Sequence, residues 1–340
     1  MILDFFKERC LNLNFIDLFA GVGGFHLALR QVFNNVGEEG VKCFKLQDVK
    51  CLFASEIDSN ASQTYTLNFP KTRLFGDVTQ DSTQRQIPKR FDVLCAGFPC
   101  QAFSIAGYQK GFEDTRGTLF FEIAKIAKKH KPKVLFLENV KNLKNHDKGR
   151  TYAIIKSTLE SLGYVVYDEI LNSATHANIP QNRERIFIVA FLESKVKNHR
   201  NFTFPKPVKL TKTIHHCLDS KKQEDCFYYT PKSQYYEWLK KEVLKKDTIY
   251  QLRRIYVREN KSNLCPTLTA NMGTGGHNVP IIKDDFGIRK LTPRECFNFQ
   301  GYPKSFKLPN LPNSKLYIQA GNSITLPLVK RIAKEIIKVL

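Results

Sequence analysis

Between residues 14 and 190, apolar runs of strand length alternate with amphipathic stretches of helical period, and this alternation limits the fold more than any other feature. The strand candidates span residues 15–19, 50–55, 93–96, 134–137, 164–171 and 186–191. Between them, residues 24–33, 59–68, 118–129 and 152–162 read as helices. Strands spaced by helices in this way build a parallel sheet with crossover helices on its faces, an α/β class fold. Leu119, Phe120, Ile123, Ile126 and Ala127 recur at helical spacing, so the aromatics of that stretch read as core.

After Leu192 the pattern changes. Lysine becomes frequent, Pro205, Pro207 and Pro231 interrupt the chain, and aromatics gather at 227–229 and 235–238. This region reads as a smaller domain of irregular strands and loops. The alternating apolar character returns near Lys315 and ends in an amphipathic helix over 326–340. The expected division is therefore a domain of residues 1–192, completed by 315–340, and a second domain with its hinge over 193–314.

Charge separates the two regions further. The chain carries a formal +21. Residues 191–270 hold 17 Lys and Arg against 8 Asp and Glu, so the excess per residue there is about two and a half times that of the rest. A concentrated basic window fits a polyanion, and nucleic acid is the polyanion expected. With 340 residues, 42% of them hydrophobic, the chain can bury a sizeable core. No run approaches the roughly 18 apolar residues that span a bilayer, and the acids in residues 1–9 do not suit a signal peptide. A soluble, intracellular protein is expected. The nine cysteines are scattered without a C-x-x-C pair, and His215-His216-Cys217 lacks a second ligand cluster, so neither a disulfide framework nor a metal site is expected.

The residues that can carry chemistry lie at the ends of the apolar runs. Gly21, Gly23 and Gly24 follow the first strand and open a helix. Glycines there let a ligand approach the backbone, although a tight turn without a ligand has the same look. Glu56 closes the second strand, where a carboxylate can take both ribose hydroxyls of a nucleoside, and Asp77 stands at the next strand end. Cys100 follows the run 91–96 in the turn Gly97-Phe98-Pro99-Cys100-Gln101, which presents a side chain at the carboxyl edge of the sheet. Glu138 ends the run 134–137 and belongs at the same edge. Against an apolar wall its carboxyl is expected to have a raised pKa and to share a proton with a ring nitrogen. Arg183 and Arg185 alternate with Asn182 and Glu184, which puts both guanidiniums on one face of an extended segment. Arg185 reads equally well as a structural partner of a carboxylate.

These segments resemble the cytosine-5 DNA methyltransferases over nearly the whole chain. Asp17–Gly24 is similar to the cofactor loop, Gly97–Gln101 to the Pro-Cys segment, Glu138-Asn139-Val140 to the Glu-Asn-Val motif, and Gln181-x-Arg183-x-Arg185 to the Gln-x-Arg-x-Arg motif. Residues 289–303 resemble the ninth motif of that family and Gly321-Asn322-Ser323 the tenth. The resemblance implies an S-adenosylmethionine-dependent, Rossmann-like large domain with a smaller target-recognition domain. It also implies S-adenosylmethionine as cofactor, with S-adenosylhomocysteine as product. Phe19 and Ile57 would sandwich adenine, Glu56 would bind the ribose and Asp77 the exocyclic amine, with Val78 and Pro99 in the same pocket. Gly21, Gly23, Gly24 and Asn322 would line the methionine end. One departure is the 39 positions separating Asp17 from Glu56, against about 20 in a simple fingerprint. The polar stretch 34–48 accounts for it as a surface insertion.

The implied chemistry is addition of the Cys100 thiolate to C6 of a cytosine, with Glu138 sharing a proton at N3 and Arg183 on the O2 side. C5 then takes a methyl group from the sulfonium, and loss of the C5 proton ejects Cys100. The cytosine must leave the duplex to react. Residues 101–117, with Gln101 and Ser104, resemble a loop that closes over it, Ser104 lying near a phosphate. Gln251–Tyr256 resembles a recognition loop in which Gln251 fills the gap left by the base. Arg253 or Arg254 would read guanine, and the other reading of either is phosphate contact. Residues 267–278, beginning at Thr267, resemble a second loop, of the kind found in enzymes methylating five-base GC-rich sites with a degenerate centre. The expected partner is double-stranded DNA. The expected setting is a monomer in the cytoplasm, associated with the nucleoid, with a restriction endonuclease encoded nearby and no stable complex needed. The rival readings are a transfer-RNA cytosine-5 methyltransferase and a catalytically silent DNA-binding relative. The basic window with two reading loops argues for duplex DNA, and the intact Cys100, Glu138 and Arg183 argue for catalysis.

Overall fold

The computed structural model describes residues 11–34, 46–99, 119–273 and 279–340. Cys100, Gln101 and Ser104 lie outside the described residues, as does most of the stretch 34–48. The chain divides into two compact units. The first comprises Met1–Leu171, Arg185–Pro205 and Val329–Leu340, and the second Asn172–Glu184 and Lys206–Leu328. Against the division read from composition, the second unit begins later, ends later and takes in Asn172–Glu184.

In the first unit, seven strands among the described residues form one sheet in the order β3-β2-β1-β4-β5-β8-β6. They are β1 (Leu11–Leu18), β2 (Leu46–Ser55), β3 (Leu74–Phe75), β4 (Val93–Gly97), β5 (Val134–Val140), β6 (Tyr164–Asn172) and β8 (Glu184–Leu192). The helices are α1 (Gly24–Asn34), α2 (Ser59–Asn68), the short α3 (Asp81–Gln84), α4 (Leu119–His130) and α5 (Arg150–Ser161). Pairing is parallel from β3 through β5. β8 runs antiparallel to β5, with Glu138 opposite Phe187 and Val140 opposite Arg185. The parallel expectation thus fails for β8. The sheet's middle strands are buried, and Phe120, Ile123, Ile126 and Ala127 of α4 pack with them, as do Ile155 and Leu159 of α5. That burial is the main stabilising term, at about 25 cal/mol per Å² of apolar surface. Asp58 caps α2 by accepting from the amides of Asn60 and Ala61. No helix among the described residues is long and apolar enough to cross a membrane.

The second unit carries a four-stranded sheet in the order β10-β9-β12-β13, made of β9 (Tyr250–Leu252), β10 (Val257–Glu259), β12 (Ile281–Lys283) and β13 (Ile288–Lys290). Tyr250, Leu252, Ile281 and Ile288 bury one face with Leu239 and Val243. A short parallel pair joins β7 (Gln181–Asn182) to β11 (Cys265–Pro266). Buried Arg289 binds both carboxylate oxygens of buried Glu295 at 2.8 Å, and Glu295 closes a capping box with Thr292 on the helix Pro293–Phe299. A charge pair this deep persists because its remaining lone pairs are filled, here by the amides of Thr292 and Asp219.

Asp17, on β1 between Ala54 and Cys95, is fully buried and neither carboxyl oxygen reaches a hydrogen-bond partner. Burial pushes its carboxyl well above the ordinary range; the backbone of His26 opposes this, and the charge of Glu56 adds to it by a smaller amount. Between the ordinary carboxylate range and the raised one, the unfolded chain releases the proton and the folded chain keeps it. Stability therefore falls as pH rises through that window, by about 1.4 kcal/mol per pH unit at most. Asp17→Asn cannot ionise, so its stability relative to the wild type is expected to grow from pH 4 upward. Denaturant unfolding of both proteins across pH 4 to 8 checks this, and a pH-independent difference would show that Asp17 is ionised in the fold.

Candidate active site

The turn after β1 bends through left-handed backbone at Phe19, Gly21 and Gly23. A Cβ at Gly23 would lie 2.3 Å from the Phe69 ring, whereas one at Gly21 would meet nothing within 4 Å. Gly23 is thus demanded by packing and conformation together, and Gly21 by conformation beside open space. Gly24 begins α1. The Glu56 carboxylate is oriented by two amides, accepting from Gly21 N–H at 2.7 Å and from Asp58 N–H at 2.8 Å. Ile57 beside it is 73% exposed, while Phe19 is half-buried against the core. Asp77 accepts from the Thr79 amide at 2.8 Å, and that bond holds its carboxyl below the usual range. Val78 is buried and Pro99 exposed. Parallel pairing of β1 to β5 brings these strand ends to one edge of the sheet. An oriented carboxylate, an uncovered aliphatic side chain and a glycine turn with open space beside it fit a nucleoside-type cofactor.

Glu138 occupies the same edge. The β4–β5 register sets it opposite Gly97, where a Cβ would stand 3.8 Å from its Oε2. It is 8% exposed, and Arg185 Nε lies 3.1 Å from its Oε1. Burial pushes the Arg185 guanidinium below its ordinary value, and the charge of Glu138 opposes that shift. The guanidinium thus fixes the position of a carboxyl group that is itself nearly buried. Asn139, which the sequence placed in the Glu-Asn-Val motif without a role of its own, donates from Nδ2 to the Phe98 carbonyl at 2.8 Å and accepts from the Val140 amide. It thereby ties the end of β5 to the turn that leads into Cys100. Its place next to Glu138 at a strand end was the available signal.

In the second unit, Arg183 is 2% exposed. It donates from Nη1 to the Leu268 carbonyl at 2.7 Å and from Nη2 to the carbonyls of Gly321 and Ser323 at 3.1 and 2.6 Å. The two arginines of the alternating segment therefore take different partners, since the strand is interrupted at Arg183 between β7 and β8. Asn322 ends the helix Asn313–Asn322, between two of those carbonyls. Thr267 donates to the Asn182 carbonyl at 2.7 Å. Gln251 lies mid-strand in β9 opposite Arg258, with its Oε1 taken by Arg253 Nη2 at 3.1 Å. Arg253 N–H bonds to the Tyr256 carbonyl, leaving Arg254 and Ile255 at the hairpin tip, both exposed.

A sequence profile of the C-5 cytosine-specific DNA methylases matches residues 13–338. The Type II methyltransferase M.Bsp6I of Bacillus sp. (strain RFL6) is 50% identical over 331 residues, spanning 96% of this chain and 99% of its own length. M.HhaI of Haemophilus parahaemolyticus, also a Type II methyltransferase, is 38% identical over 349 residues, spanning 97% of this chain and 95% of its own. A crystal structure of a Spodoptera frugiperda DNMT2 variant superposes with a TM-score of 0.69 at 17% identity, covering 96% of this chain and 99% of that one. That likeness shows the fold: a mixed α/β arrangement around a mainly parallel sheet.

Removing Arg185 alone leaves the Glu138 carboxyl buried without its cation. Arg185→Met is expected to cost about 3–5 kcal/mol, and the double variant with Glu138→Gln to recover part of that loss. Denaturant unfolding of the two single variants and the double variant measures the coupling. Additive losses would mean that the pair contributes nothing as a pair.

Proposed function

This chain belongs to the C-5 cytosine-specific DNA methylases and is a DNA methyltransferase of the Type II restriction–modification kind, and on that premise we propose that Cys100, Glu138 and Arg185 form the reaction centre. Family and fold imply S-adenosylmethionine as methyl donor. When bound, it supplies an electrophilic methyl group on sulfonium. Glu56 would take the ribose hydroxyls, Phe19 and Ile57 the two faces of adenine, and Asp77 with Val78 and Pro99 the adenine edge. Gly21, Gly23, Gly24 and Asn322 are carried over to the methionine end by resemblance.

Cytosine C5 is too weak a nucleophile to attack a sulfonium methyl while the ring stays aromatic. Cys100 is read as the thiolate that adds to C6 and moves the electron pair toward N3 and O2. The Glu138–Arg185 pair supports this reading more than any other single observation: it stands opposite Gly97, three residues before Cys100, and offers a carboxyl beside a guanidinium. Glu138 is assigned to N3. The O2 side is assigned to Arg185, not to the Arg183 of the sequence reading, because the Nη groups of Arg183 are turned to three backbone carbonyls. C5 would then take the methyl group as its bond to the sulfonium sulfur breaks, leaving S-adenosylhomocysteine, and loss of the C5 proton to a base would return the electron pair that expels Cys100. Flipping of the cytosine out of the duplex follows from the need to expose both C5 and C6. Protection of host DNA from a partner endonuclease is the biological role that goes with this reading.

Cys100→Ser is expected to abolish methyl transfer while duplex binding survives, since a hydroxyl is far less ionised than a thiol. Labelled methyl transfer from S-adenosylmethionine to duplex DNA and to transfer RNA, run side by side, checks the assignment and the substrate together. Wild-type turnover by the serine variant would remove Cys100 from the chemistry. Label entering only transfer RNA would reverse the choice of substrate.

Arg254, exposed at the hairpin tip, is proposed as a guanine reader. Arg254→Ala is expected to cost about 1–3 kcal/mol and to relax discrimination at one base position. Competition binding on single-base variants of the methylated site measures it. Equal weakening on every variant, with a shallower salt dependence, would mean that Arg254 touches only phosphate.

A further inference from the structure

The side chains of Gln181 and Arg183 grip both backbone polar groups of one residue. Leu268 N–H is bound by Gln181 Oε1 at 3.1 Å, and its carbonyl by Arg183 Nη1 at 2.7 Å. Both gripping side chains are buried. The grip extends to either side of Leu268. Before it, Cys265 and Pro266 pair in register with Gln181 and Asn182, and the Thr267 hydroxyl donates to the Asn182 carbonyl. After it, the backbone of Thr269 and Ala270 lies against Gly321, where a Cβ would come within 2.2 Å of Thr269 C and 2.4 Å of Ala270 N. Arg183 Nη2 holds Gly321 and Ser323 from the other side, and Gln181 Nε2 is anchored on the Phe299 carbonyl at 2.7 Å.

The consequence is a backbone whose register is set by side chains remote in sequence. Leu268 and Met272 are buried, while Thr269 and Asn271 are exposed. A slip of one residue toward the N-terminus would put Thr269 in the buried place of Leu268 and Met272 in the exposed place of Asn271. Arg183 meets the three carbonyls with two separate nitrogens of one rigid fork, a spread that the single nitrogen of an ammonium on a flexible stem does not reproduce.

We propose that Arg183, with Gln181, is a positioning residue that fixes which side chains of residues 267–271 face the DNA, and so sets sequence discrimination without touching the base. This rests on the reading of that segment as DNA-contacting. Two variants disturb the grip by independent routes: Arg183→Lys keeps the charge and loses the fork, and Gly321→Ala pushes on the Thr269–Ala270 backbone.

The site is first located by bisulfite sequencing of DNA methylated by the wild-type enzyme, and kcat and KM are then measured on duplexes carrying that site and its single-base variants. Both variants are expected to lower the kcat/KM ratio of true to altered sites by roughly tenfold, with kcat on saturating true site falling several times less. A collapse of kcat by about a thousandfold with discrimination intact would overturn the proposal and return Arg183 to the reacting base. A lower unfolding temperature with unchanged discrimination by the folded fraction would overturn it in favour of a plain structural brace. A wild-type enzyme that methylates no duplex would overturn the DNA reading, and this proposal with it.

Discussion

The parallel register of β1, β2, β4 and β5 is the constraint on which the proposed site depends. Parallel strands leave the sheet in the same direction, so side chains far apart in sequence reach one edge without any contact having to bring them there. Phe19, Glu56, Asp77, Pro99 and Glu138 share that edge for this reason. The register also chooses neighbours. Gly97 stands opposite Glu138, so β4 places no side-chain carbon beside the acid at that position.

Backbone groups do much of the positioning. Amides of Gly21 and Asp58 aim Glu56, the amide of Thr79 aims Asp77, and a carbonyl of Phe98 is captured by Asn139. Such contacts cost little conformational entropy, because the amides are already ordered by the turns that carry them. The same device works in reverse in the second unit, where the guanidinium of Arg183 orders three carbonyls. The alternating Gln-x-Arg-x-Arg segment therefore serves two ends. Its first half braces backbone in the second unit, and its last residue enters β8 of the first unit and pairs with Glu138.

The run of apolar strands, the helices between them and the acids and glycines at their ends were legible in the sequence because each rests on local rules: period, turn chemistry and burial. Cys100 stood out for the same reason, as a thiol placed in a turn directly after a buried strand. The antiparallel entry of β8 was not legible. Apolar periodicity is the same for either direction. The compact units also divide at other residues than the change in composition suggests, because lysine content marks solvent exposure and not the surface against which a segment packs.

By itself, then, the sequence determined the α/β class and which acids and glycines stand at the ends of its strands. Tertiary structure alone decided how the two arginines divide their work, that Asn139 ties the Phe98 carbonyl, and that Leu268 is held by side chains some 85 residues before it in the chain. The physical reason is directional. Burial and period act along the chain and leave a pattern in its letters, whereas a hydrogen bond is made by the orientation of two groups in space, which two positions distant in sequence acquire only once the chain has folded.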